Sequence, residues 1–338
     1  MILRTETVEQ VVDGSRRVRL VKEVVMTPGA EPLGMVRKRP LPPKQTRGAV
    51  LLIHGFGQNR YTWHGSSRSF SAFLAAEGWD VFNADLRGHG RSRRFGSGRA
   101  RTLDAYILGD VPTCAEEAMR LSGHEQIFLI GHSMGGLVSY CAAATSLRAR
   151  VRGIVTIGSP YRFGHGSRLL GSLAALLRVL RFTGVLDSNP HLPLRFVGRH
   201  LRKRRALWDK SWIPAPVRAW TPGSTEEEIL DEYLERAFDW TSVQVAYDIL
   251  RNGRGGLVSQ DGTVDYGSAF EHLDRPLLVI AGDTDTLAPP ESVRPAYARS
   301  RSSDRTYRVY PMGHVDLVVG REAPSTVWAT IGQWMAQR

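Results

Sequence analysis

Cysteine is scarce in this chain: 338 residues contain two, Cys114 and Cys141. Two cysteines cannot build a disulfide framework, nor hold a zinc ion unaided. Both fall in stretches of helical spacing, where they read as small core residues rather than reactive thiols. Lysine is also sparse, at five of the 45 bases, the rest being arginine. Long apolar runs are missing. The best one, Leu169 to Leu180, is broken by Arg178 and falls short of the ~18 apolar residues of a membrane-spanning helix. The opening residues, MILRTETVEQ, offer neither the apolar core nor the cleavage site of a secretory leader. Together these absences predict a soluble, cytoplasmic protein. None of the ten histidines has metal-ligand spacing, and Gly55-Phe56-Gly57 is no phosphate loop, so neither metal nor cofactor is expected. The 34 Gly and 18 Pro follow no period, which excludes a collagen-like array.

What is present is globular. Hydrophobic content of 42% and charged content of 23% disfavour disorder. The net charge of +12 raises two partners, nucleic acid and an anionic membrane surface. An arginine-favouring genome gives the same excess with no partner at all. Twelve of the bases gather in two clusters. One holds Arg87, Arg91, Arg93, Arg94, Arg99 and Arg101; the other holds Arg195, Arg199, Arg202, Lys203, Arg204 and Arg205. Neither is interleaved with stacking aromatics, so nucleic acid is not expected. Solvated faces are the default reading. The rival is a patch for an anionic lipid surface or an acidic substrate.

Along the chain, the first forty-odd residues alternate loosely and end in a Pro-rich turn, Pro40 to Lys44, which predicts edge hairpins. Ala49-Val50-Leu51-Leu52-Ile53 is then apolar without a break, as a strand buried on both faces must be. Similar runs recur at Val81 to Ala84, Ile127 to Ile130, Ile154 to Ile157 and Leu277 to Ala281. Helical spacing lies between the first four. The expected fold is α/β, with a doubly wound, mostly parallel sheet. The alternation stops after Ile157 and resumes at Leu277. Between them lie the apolar run Leu169 to Leu180, the basic run Arg195 to Arg205 and an acidic helix, Glu226 to Glu235. Half of the eight tryptophans are also there: Trp208, Trp212, Trp220 and Trp240. With fifteen bases and thirteen acids from Tyr161 to Leu273, this interval is near neutral. Its length predicts an inserted helical lid rather than a loop. The expected division is 1–160 and 274–338 for the sheet domain, with 161–273 inserted.

Chemistry points first to Gly131-His132-Ser133-Met134-Gly135, set between an apolar strand and a small-residue helix. A sharp strand-to-helix turn strains its central residue and lifts the Ser133 hydroxyl above the sheet edge, at a helix N-terminus. A serine hydroxyl needs a base to take its proton. His314, in Pro311-Met312-Gly313-His314-Val315-Asp316 after a short strand, Tyr307 to Tyr310, reaches the same edge. The imidazole needs a carboxylate in turn. Asp283 and Asp285, in the loop after Leu277 to Ala281, both qualify and give the chain order Ser, Asp, His. An oxyanion needs two N–H donors. The Met134 amide follows the nucleophile, and the Phe56 amide lies in the turn His54-Gly55-Phe56-Gly57. The other histidines read as structural. His132 packs or lines the pocket rim, His54 is hydrogen-bonded, His89 braces its turn, and Asp316 ties down the histidine loop.

These pieces, with Asp85-Leu86-Arg87-Gly88-His89-Gly90-Arg91-Ser92 and Gly282-x-x-Asp285-x-x-x-Pro289, resemble the α/β-hydrolase-fold serine hydrolases of the lipase/esterase kind. The likeness runs from about residue 47 to the C-terminus, apart from the insertion. It implies Ser133 as nucleophile, His314 as base and Asp285, rather than Asp283, as acid. It places the insertion where the superfamily carries a lid. Polyhydroxyalkanoate synthases, a cousin group, carry Cys at the nucleophile; dehalogenases and epoxide hydrolases carry Asp. Serine argues for acyl transfer to water through an acyl-enzyme. The implied activity is carboxylic ester hydrolysis on lipophilic acyl esters by a monomer or homodimer, with lid contact to a lipid surface as an accompanying expectation. Thioesterase, amidase, polyester depolymerase and carbon–carbon hydrolase remain alternatives with the same residues, as does a binding protein that has lost turnover.

Overall fold

The run Ala49–Ile53 is buried throughout, with Ala49, Leu51 and Ile53 in one hydrophobic layer and Val50 and Leu52 in another. That period-two split requires cover on both faces. The computed structural model describes residues 1–41, 45–162, 184, 188–212 and 218–338. The predicted helix Leu169 to Leu180 and the end of the Pro40 to Lys44 turn lie outside them. In chain order the strands are β1 (Ile2–Asp13), β2 (Arg16–Met26), β3 (Gly34–Pro40), β4 (Ala49–Ile53), β5 (Asp80–Asp85), β6 (Ile127–His132), β7 (Val151–Ile157), β8 (His191–Pro193), β9 (Trp240–Ser242), β10 (Leu277–Gly282) and β11 (Arg305–Tyr310). Among the described residues nine of them form one sheet, ordered β1-β2-β3-β5-β4-β6-β7-β10-β11. The first three are the antiparallel meander expected at the edge, and β3 pairs antiparallel with β5. From β5 onward every pair is parallel. β8 and β9 form a separate antiparallel ladder.

Helices follow strands as the apolar spacing dictates. The helix α1 (Phe70–Ala76) starts at Ser69, whose hydroxyl accepts from the Ala72 amide. Proline in the first turn opens α2 (Val111–Ser122), and left-handed Gly123 closes it. The helix α3 (Met134–Ala144) is buried along its whole length. Then come α4 (Leu194–Lys203), α5 (Glu227–Arg236), α6 (Val243–Gly255), α7 (Tyr266–Glu271), α8 (Pro290–Arg299) and α9 (Ala329–Ala336). One face of the sheet is covered by α1 and α9, the other by α2, α3 and α8.

The described part of the interval between β7 and β10 is helical and held by charge. The basic run becomes α4 and the acidic run becomes α5. Arg199 meets Glu235 at 3.0 Å, and Arg205 meets Asp231 at 2.8 Å. Gly198 lets the two helices close, since a Cβ there would overlap the Leu234 carbonyl of α5. The last helix of the interval joins the sheet's flanking layer, with the Phe270 ring of α7 tilted against Tyr140 of α3, centroids 4.5 Å apart. No helix among the described residues is long and apolar enough to cross a membrane.

Candidate active site

Ser133 sits at φ 55, ψ −123, where β6 turns into α3. Asn189 is the other non-glycine residue with positive φ among the described residues. An L-residue in that region is strained, and the surrounding structure must hold it there. Here the Ser133 amide donates to Ile157 O at 3.0 Å, and the Gly136 amide donates to Ser133 O at 3.0 Å. Two glycines make the turn tight enough. A Cβ on Gly131 would overlap the Gly135 backbone, and one on Gly135 would overlap the Ile53 carbonyl. Among the described residues the Ser133 hydroxyl has no hydrogen-bond partner. It opens onto a cavity of about 360 Å³, whose described lining is apolar except for Gln58, Ser133 and His314.

His314, 5% exposed, lines the same cavity. Its Nδ1 donates to Asp285 Oδ2 at 2.7 Å. The other oxygen of Asp285 accepts from the Leu287 and Ala288 amides at 2.9 and 2.8 Å, which fixes the carboxylate in a buried position. Asp283 stands exposed. Left-handed Gly158 runs past the pair: a Cβ there would lie 3.2 Å from both Asp285 Oδ2 and His314 Nδ1. Asp316 anchors the histidine loop. It accepts from the Gly313 amide at 3.0 Å, the Thr221 amide at 2.7 Å and Thr225 Oγ1 at 3.0 Å.

The neighbouring histidines are buried and neutral. His132 donates from Nε2 to His314 O at 3.1 Å; burial, then the nearby His314, holds its pKa well below the ordinary value. His54 donates to Gly55 O at 2.9 Å and accepts from the Leu86 amide at 3.1 Å. Burial, reinforced by His89, lowers its pKa to about 4. Both therefore serve as backbone braces rather than as a second base.

The turn after β4 supplies the remaining groups. Neither the Phe56 amide nor the Met134 amide meets a protein acceptor among the described residues. Gly55 passes so close that a Cβ on it would lie 3.2 Å from Ser133 Cβ. Four contacts that the sequence did not signal fasten this turn. Gln58 Oε1 accepts from the Gly55 amide at 3.1 Å, while its Nε2 donates to Tyr233 Oη at 2.7 Å. The Asp239 amide donates to Gly57 O at 2.8 Å, and the Asn59 amide donates to Ala237 O at 2.9 Å. Asp85 anchors the far end, accepting from the Arg60 amide at 2.7 Å, Arg60 Nη1 at 2.9 Å and the Arg91 amide at 2.8 Å. Burial alone would raise the Asp85 pKa, but Arg60 and these amides hold it below the usual carboxylate value. The Asp85 to Ser92 stretch is thus a brace behind the site, with His89 donating to Arg87 O at 2.9 Å. No three His, Cys, Asp or Glu side chains among the described residues are grouped to hold a metal ion.

Comparison with known proteins bears on the fold and the family. The family model described as alpha/beta hydrolase fold matches residues 48–320. The poly(3-hydroxyalkanoate) polymerase subunit PhaC of Allochromatium vinosum is 24% identical over 345 residues, covering 100% of this chain and 92% of that one. Epoxide hydrolase B of Mycobacterium tuberculosis is 26% identical over 241 residues, covering 71% of this chain but only 57% of the relative. The crystal structure of Paleococcus ferrophilus monoacylglycerol lipase superposes with a TM-score of 0.64 at 19% identity, over 90% of this chain and 98% of that one. The sheet order, the strained serine turn and the family match lead to one conclusion: the chain belongs to the α/β-hydrolase fold family.

Proposed function

We propose that the protein hydrolyses carboxylic esters of lipophilic acids, with Ser133 as nucleophile, His314 as base and Asp285 as acid. One observation carries the reading. Ser133 and His314 face a single apolar cavity, and His314 is tied from behind to a buried carboxylate. Ser133 Oγ attacks the acyl carbonyl as His314 Nε2 takes its proton. Asp285 keeps Nδ1 protonated and stabilises the imidazolium that forms. The Phe56 and Met134 amides receive the developing oxyanion. His314 then protonates the leaving alcohol, activates water and frees the acid from the acyl-enzyme.

The serine at the elbow differs from the cysteine and aspartate that the resemblance gives to the polyhydroxyalkanoate synthase and epoxide hydrolase groups. A thiolate suits polymer transfer and a carboxylate suits epoxide opening, whereas a serine alkoxide suits acyl transfer to water. Half of the described cavity wall comes from the interval 161–273, through side chains such as Leu194, Val197, Phe238 and Ile249. We read that interval as a lid that shapes the acyl site. A second reading, cleavage of a polyester or thioester, draws support from the full-length likeness to a polymerase subunit.

A fluorophosphonate probe tests the assignment. The native protein is expected to label, and Ser133→Ala and His314→Ala are expected not to. Both variants should lose about 10⁴-fold or more of kcat/KM on a p-nitrophenyl ester. Labelling that survives Ser133→Ala removes Ser133 as nucleophile. A panel of esters, thioesters and oligo-hydroxyesters of rising chain length decides between the two readings. Activity confined to the shortest acyl groups would overturn the lipophilic site.

A further inference from the structure

Four of the large apolar side chains that stand exposed lie close together in sequence: Phe196 at 57%, Val197 at 46%, Leu207 at 44% and Trp212 at 73%. The remaining ones are Met1, Ile2 and Leu3 at the chain start, with Leu108 and Val309 elsewhere. The same stretch is rich in bases, and the structure sorts them. Those turned toward α5 are neutralised, Arg199 and Arg202 by Glu235, and Arg205 by Glu227 and Asp231. Those standing among the exposed apolar groups are not. Arg195, Lys203, Arg204 and Lys210 make no ion pair with any described residue. Lys210 Nζ sits 5.7 Å from the centre of the Trp212 ring, so cation and indole present themselves together. On its inner side the same helix faces the cavity, with Leu194, Val197 and Leu201 in the wall.

We propose that the segment Arg195–Trp212 docks the protein on an anionic lipid surface, with the acyl cavity opening beside the contact. Charge complementarity selects the occupant. Unpaired cations interleaved with exposed aliphatic and aromatic side chains match a surface that offers anionic headgroups at one depth and acyl chains just below. Tryptophan suits that boundary, since its ring is apolar and its N–H stays wet. A purely polyanionic partner would use the cations and leave Phe196 and Leu207 in water. The consequence for chemistry rests on the proposed ester hydrolysis: a lipophilic ester passes from the surface into the cavity past Val197 without crossing bulk water.

Vesicle sedimentation tests the surface without needing turnover. The full-length protein is mixed with vesicles of phosphatidylcholine alone and of phosphatidylcholine with phosphatidylglycerol. Binding is expected to the mixed vesicles and to weaken as salt rises. Lys203→Glu with Arg204→Glu should lower it by about tenfold or more, and Phe196→Ser with Trp212→Ser should also lower it. All these variants should hydrolyse a short, soluble ester as the native protein does. Ser133→Ala should bind vesicles normally, so a failed esterase assignment leaves the docking result standing. No sedimentation with anionic vesicles overturns the proposal. So does binding lost on charge reversal but kept when Phe196 and Trp212 are replaced, because that pattern belongs to a soluble polyanion.

Discussion

At the scale of single residues, Asp285 fixes both the position and the tautomer of His314. Its Oδ1 is held by two backbone amides, which leaves Oδ2 aimed at Nδ1 at 2.7 Å. An amide in its place keeps the shape but no longer compels Nδ1 to carry the proton. Asp285→Asn is therefore expected to lower kcat by about 10⁴-fold with a small change in KM and in melting temperature. Asp283→Asn, at an exposed position, should leave kcat within about twofold, as for surface substitutions generally. Equal losses in the two variants would overturn the assignment. The elbow could be read from sequence because its requirements are local: two glycines and a serine between a strand and a helix. The choice between Asp283 and Asp285 is not local. Both lie in one loop, and the amides of Leu287 and Ala288 decide which carboxylate turns inward.

At the scale of elements, the turn proposed to hold the oxyanion is fastened by two parts of the chain. The turn follows β4, but its fastenings come from α5 and from the strand-like residues after it. Gln58 reaches Tyr233, and Gly57 and Asn59 pair with Asp239 and Ala237. In the proposed mechanism the Phe56 amide receives charge without reorganising only while this clamp holds. Tyr233→Phe removes the acceptor for Gln58 Nε2, and Gln58→Leu also removes the acceptor for the Gly55 amide. Expected losses in kcat are about tenfold for the first and nearer 10² for the second, the latter approaching the cost of one oxyanion donor. KM should hold, and affinity for a boronic acid that mimics the tetrahedral intermediate should fall in parallel with kcat. A rise in KM alone would show that these side chains merely shape the acyl pocket. The strands were legible because burial on both faces leaves an unbroken apolar run. This clamp was not, since it joins side chains 175 residues apart in sequence, and no periodicity marks such a contact.

At the scale of the whole molecule, the fold hides histidines that must remain uncharged. His54, His89 and His132 are buried and His64 is half-buried, and desolvation is the first cause that lowers the pKa of each. An unfolded chain protonates these rings near 6.5, whereas the folded one resists; His54 holds out to about 4. Between those values the unfolded state binds more protons, so stability is present above pH 6.5 and is lost as the pH falls toward 4. For His54 alone the full shift corresponds to about 3 kcal/mol. Asp110 works the other way. Burial raises its carboxyl to about 6 despite Arg87, so its protonation favours the folded state as the pH falls from 6 toward 3.8. Asp248, also raised by burial, acts in the same sense as Asp110. Four histidines outweigh these two carboxyls, and the expected outcome is a urea midpoint that drops steadily from pH 7 to pH 4. His54→Asn keeps a donor toward Gly55 O and cannot titrate. Its midpoint at pH 7 will differ from the native one, but its slope against pH should be shallower. An unchanged slope would mean that the acid sensitivity arises elsewhere, among carboxylates such as Asp85 that the fold keeps ionised.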